Sequence, residues 1–106
     1  MAAVNQDTGA VSWDTPLPSM LFGAATVTND VVFTTTFSGY LYALDATTGA
    51  IMFKTPMSAL TNAPVAVDGD YVIAGSGLAA PSSRQRNMII AYKLGATGKL
   101  PNTLSP

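Results

Sequence analysis

The sequence predicts an all-β fold, a partial β-propeller of about two four-stranded antiparallel blades. Three observations predict it. Short β-branched and aromatic runs alternate with Gly, Asn, Asp and Pro turns, and no stretch sustains a helical period. The segment "AVNQDTGAVSW" (3–13) returns as "ALDATTGAIMF" (43–53), 40 residues later. Four strands in a repeat of about 40 residues is the period of a propeller blade.

The elements follow in order. An outermost strand is expected near 10–15, then a full set of four near 22–28, 31–37, 40–45 and 50–55. Three more are expected near 63–67, 70–76 and 88–93. "ATVTNDVVFTT" (25–35) and "VAVDGDYVIAG" (65–75) are two copies of one hairpin, again 40 residues apart. Their "ND" and "GD" pairs stand where a two-residue turn needs residues that tolerate positive φ. "GYLYALD" (39–45) matches "MIIAYKL" (88–94) at an offset of 48, so the second copy has gained 8 residues, placed in the loop 77–87. A third copy of the opening motif, "LGATGKLP" (94–101), keeps Thr97 and Gly98 but lacks the Asp and the aromatic. With "PNTLSP" after it, it reads as the end of an array. The division expected is 1–15, outer strands of a preceding blade; 16–55, a complete blade; 56–94, three strands of the next; and 95–106, a tail.

Each residue of the repeated motif has a mechanical reason to be there. Thr8-Gly9 and Thr48-Gly49 close tight turns, and glycine adopts the left-handed conformation that a Cβ penalises. Asp45, in whose place Asn5 stands in the first copy, is expected to accept hydrogen bonds from the turn's N–H groups and from the Thr48 hydroxyl. Ala3 and Ala43 are small and leave room for a flat ring from a neighbouring sheet. Trp13 and Phe53 are expected to fill such gaps, and a buried indole N–H wants a carbonyl across the junction. The motif is thus expected to dock sheet on sheet.

Composition narrows the function classes. Charged residues are 10% of the 106, against roughly 25% in ordinary soluble domains. Much of the surface is therefore suited to burial against further blades or other copies of the chain. A net charge of −1 offers no basic surface for nucleic acid. No apolar run reaches the length of a membrane span, and "MAAVNQDTG" lacks a signal-peptide layout. The absence of Cys and His removes disulfides and the commonest transition-metal ligands.

The motif resembles the Ala-x-Asp-x-x-Thr-Gly-x-x-x-Trp docking repeat of the PQQ-binding-like β-propellers, the superfamily of quinoprotein alcohol dehydrogenases and of non-enzymatic outer-membrane assembly scaffolds. The resemblance covers nearly the whole chain. The departures are Asn5 for Asp, Phe53 for Trp and the decayed copy at 94–98. It implies an eight-bladed parent of which this chain holds about two blades, expected to be the C-terminal ones. It implies PQQ and calcium in the parent if that parent is a dehydrogenase, with none on this chain alone, and a periplasmic or extracellular setting. No catalytic, cofactor or metal ligand of the family maps onto a residue here. The function expected is a fragment of a PQQ-dependent alcohol dehydrogenase-like propeller, inactive alone. The alternatives are a fragment of a propeller scaffold that binds protein partners, and a short repeat protein that self-assembles. Counting one, four and three strands suggests that the N-terminal strand of one copy completes the open sheet of another in a homo-oligomer.

Other candidate chemistry is weak. Asp68 and Asp70 flank Gly69 and are explained by the hairpin turn; calcium wants six to eight oxygens. Arg84 and Arg86 are the one basic cluster, suited either to an anionic substrate or cofactor group or, the favoured reading, to a solvated loop. "GSG" (75–77) has no following helix to bind phosphate.

Overall fold

A computed structural model describes residues 1–77 and 87–98. Among these residues the chain forms nine strands and no helix. They are β1 (Ala2–Val4), β2 (Val11–Asp14), β3 (Thr26–Thr28), β4 (Val31–Thr36), β5 (Tyr40–Asp45), β6 (Ile51–Pro56), β7 (Val65–Asp68), β8 (Tyr71–Ser76) and β9 (Met88–Lys93). They make three antiparallel sheets in chain order: β1-β2, β3-β4-β5-β6 and β7-β8-β9.

Local chemistry sets the hairpins. Asn29 and Asp30 take φ of 48° and 62° between β3 and β4, the pair of positive angles a type I′ turn requires. Gly69 takes φ of 56° between β7 and β8, where a type II′ turn places its glycine. The β4–β5 ladder runs from Val31↔Asp45 to Thr36↔Tyr40, and the β8–β9 ladder from Tyr71↔Lys93 to Ser76↔Met88.

Alternation sends the two faces of the middle sheet to different neighbours. Val32, Tyr42 and Leu44 are buried with Trp13, Leu17 and Tyr40 packed around them. Leu41 instead joins Met57, Val65, Ala74 and Ile90 in the core shared with the third sheet. Threonines tie these two sheets. The Thr35 hydroxyl donates to the Ala63 carbonyl at 2.8 Å, and that of Thr26 to Val65 at 2.7 Å. Buried hydroxyls of Ser58 and Ser76 also bond each other. Such bonds remove the penalty of burying polar groups in a chain with few charges.

Two expectations change. The N-terminal segment contributes two strands, because Ala2–Val4 pairs with Val11–Asp14. The strand expected to complete another copy's sheet is therefore accompanied by a hairpin partner. The strand expected at 22–28 is only Thr26–Thr28. Phe22 sets its ring edge-on to Phe37, with centroids 5.5 Å apart. A Gly23 Cβ would stand 2.9 Å from the Ala63 carbonyl oxygen, so this segment packs between sheets instead of pairing. Arg84, Arg86, Pro101 and most of the tail lie outside the described residues.

Candidate functional site

The repeated motif builds the same turn twice, bond for bond. In the first copy the N–H groups of Asp7 and Thr8 donate to Asn5 Oδ1 at 2.9 and 3.0 Å. In the second, Thr47 and Thr48 donate to Asp45 Oδ1 at 2.8 and 3.0 Å. Thr8 Oγ1 accepts from Ala10, and Thr48 Oγ1 from Ala50. The Gly9 N–H donates to the Asn5 carbonyl and that of Gly49 to the Asp45 carbonyl, each at 2.8 Å. Gly9 and Gly49 have φ of 73° and 75°. Both flanking ladders shift register at the same place, after Ala3 and after Ala43. Asn and Asp serve alike because the turn asks only for an acceptor oxygen.

The carboxylate adds charge to that task. The Thr48 N–H, then that of Thr47, holds the Asp45 carboxyl below its usual 3.8. A folded-state value below the unfolded one means stability that is present above about 3.8 and lost as pH falls through the folded value. Asp45→Asn should keep the turn, as Asn5 does, and remove this part of the acid sensitivity. Thermal melts from pH 2 to pH 6 (roughly spanning the carboxylate range) check this. An unchanged acid profile in the variant would contradict it.

The surroundings of the two turns differ. Trp13 of β2 reaches across to the second turn. Its indole N–H donates to the Ala46 carbonyl at 2.9 Å. A Cβ on Gly49 would stand 2.5 Å from Trp13 Cε3, so the ring lies against the face that glycine leaves open. The Thr15 hydroxyl donates to the Gly49 carbonyl at 2.6 Å. Trp13 of β2 and Thr15 just past its end thus engage both ends of one turn. At the first turn nothing lies within 4 Å of the corresponding Gly9 position.

The structure therefore brings Trp13 to Ala46 and Gly49 of the turn that Asp45 and Thr48 pin, and leaves Asn5, Thr8 and Gly9 as an open turn of the same shape. It corrects two details. Trp13 packs on the face of Val32, Tyr42 and Leu44, whereas Ala43, between the last two on β5, points to the opposite face. Phe53 does not fill a gap between sheets, being 49% exposed. The turn it would meet, Leu94–Gly98, is one residue shorter than Leu44–Gly49 and has Gly95 where Asp45 stands. No carboxylate gathers its N–H groups, and a phenyl ring has no N–H to donate. Sequence reasoning missed Thr15 and the Ala46 carbonyl. The signal for the first was available, since Thr15 and Thr55 also stand 40 apart.

No group of three or more carboxylates gathers among the described residues, and Asp68 and Asp70 remain turn-flanking residues. Lys54 Nζ lies over the Tyr40 ring at 4.6 Å, and Lys93 over Tyr71 at 5.7 Å. A cleft of about 340 Å³ is lined, among the described residues, by Ala63, Gly75–Gly77 and Asn87–Ile89, none of them titratable.

Comparison with known proteins fits this architecture. Residues 1–98 match the family described as outer membrane protein assembly factor BamB. The crystal structure of BamB from Moraxella catarrhalis is similar at 30% identity over 61% of this chain, with a TM-score of 0.57. A europium-containing methanol dehydrogenase is similar in fold at 22% identity over 88% of the chain, with a TM-score of 0.69. The chain spans 20% and 19% of those two proteins. Among curated proteins none matches. The chain belongs to the BamB-type family of PQQ-like β-propeller proteins.

Proposed function

We propose that the chain is a wall segment of a propeller scaffold, holding other blades or protein partners through its turns and sheet faces. One observation carries this reading: the same hydrogen-bonded turn occurs twice, seated by Trp13 in one copy and open in the other. An open Gln6 carbonyl and Gly9 face can take an indole borne on an extended strand, as Ala46 and Gly49 do. Membership of a family described by outer-membrane assembly supports a periplasmic setting. The dehydrogenase reading has less support, because likeness to the methanol dehydrogenase at 22% identity is a likeness of fold.

A labelled chain titrated with the peptide Gly-Ala-Val-Ser-Trp-Asp-Thr-Pro, copied from residues 9–16, tests the seat. Saturable NMR shifts are expected at Gln6 and Gly9, lost when the peptide Trp is Ala. Shifts that ignore the Trp contradict the reading. The same chain with PQQ, calcium and a primary alcohol is expected to reduce no dye. Turnover above the no-protein blank would restore the dehydrogenase reading.

A further inference from the structure

The outer face of the third sheet points to a second copy of this chain. Alternation puts Tyr71 and Ile73 of β8, with Ile89 and Ala91 of β9, on the side away from the core. Ile89 is 82% exposed, Tyr71 43% and Ile73 38%. The equivalent face of the middle sheet, bearing Phe33 and Leu41, is the one that packs on β7 and its neighbours. An apolar sheet face of this kind is made to be covered.

Its charges say by what. One ladder row crosses the sheet as Asp68↔Tyr71↔Lys93. Asp68 and Lys93 are both exposed, at opposite edges of the face. Lys93 Nζ lies 5.7 Å from the Tyr71 ring centroid, which holds it over this side of the sheet. The equivalent row of the middle sheet is Thr28↔Val31↔Asp45, with no cation. The opposite charges are thus a feature of the open face and not of the blade-on-blade contact already made.

We propose that this face forms a two-fold dimer, its axis parallel to the strands and running above β8. Such a rotation lays β7 of one copy over β9 of its partner. Tyr71 and Ile73 then face their own equivalents, while each Asp68 faces the other copy's Lys93. Both charge pairs form at once, as an isologous contact demands. Aligned sheets pack about 10 Å apart, with strands within about 30°, a gap that a lysine side chain at the rim reaches across. Stacking head-to-tail on the first sheet offers less. That sheet presents Asp14 and no lysine, so Lys93 gains a partner and Asp68 none. This inference does not rest on the scaffold reading, and the first turn stays free in the dimer.

The test is a charge swap on the full chain, read by analytical ultracentrifugation. The parent chain is expected to sediment at twice 10.9 kDa. Asp68→Lys and Lys93→Asp are each expected to weaken the dimer at least about tenfold, because like charges then oppose each other at both rims. The double variant is expected to return to within about threefold of the parent, roughly the scatter expected if the two sites otherwise add. Ile73→Asp is expected to give monomer, with an unchanged β-sheet circular dichroism spectrum showing that it folds. A parent chain that stays monomeric, a dimer indifferent to the single variants, or a double variant no better than they are would each overturn the proposal.

Discussion

Trp13→Ala should destabilise the chain by about 3 kcal/mol, the low end of the range for truncating a buried aromatic. The low end applies because the ring is only partly buried. Two losses contribute: the apolar contact with the core of Val32, Tyr42 and Leu44, and the bond to Ala46, worth about 1 kcal/mol. Trp13→Phe keeps most of the first and loses the second, so it should cost about 1–2 kcal/mol. Urea unfolding measures both. A Trp13→Ala change within about 0.5 kcal/mol, the usual range for surface substitutions, would show that the ring carries no load.

Gly49→Ala and Gly9→Ala form the sharper comparison. Both residues sit at nearly the same positive φ, so each variant bears about 1–2 kcal/mol of left-handed strain. At Gly9 that is the whole effect, because the new methyl meets nothing within 4 Å. At Gly49 the methyl would stand 2.5 Å from Trp13 Cε3 and 2.7 Å from Thr15 Oγ1. The ring must leave its seat, and most of the Trp13 contribution goes with it. Gly49→Ala should therefore cost about 3–5 kcal/mol in all. Equal losses at the two glycines would mean that only the backbone angle matters and that the ring does not rest on Gly49.

Much of this was readable in the residues because the repeat carries its own control. Asn5 and Asp45, or Thr8 and Thr48, are recognisable in the sequence alone as one device in two places. The hairpin turns at Asn29 and Gly69 followed from φ tolerance. What escaped was whatever depends on a neighbour. Ala2–Val4 is too short to show a period, and only its partner Val11–Asp14 makes it a strand. Phe22 lies in a strand-forming run but is diverted by the Phe37 ring. Phe53 occupies the same place in its motif as Trp13, yet its fate was decided by the shortened turn at 94–98. The asymmetry between the Gly9 and Gly49 turns, the feature on which the proposed function rests, is invisible in the motif because both copies spell the same turn.

Trp13 is the chain's one tryptophan, so its indole N–H gives a single unambiguous NMR signal. Hydrogen exchange of that proton tests the central claim that the N-terminal hairpin docks on the second turn. The account predicts exchange slowed to the rate of the surrounding sheet, with a nuclear Overhauser contact from the ring to the Gly49 α-protons. Exchange at the rate of a free indole, with no contact to Gly49, would contradict it.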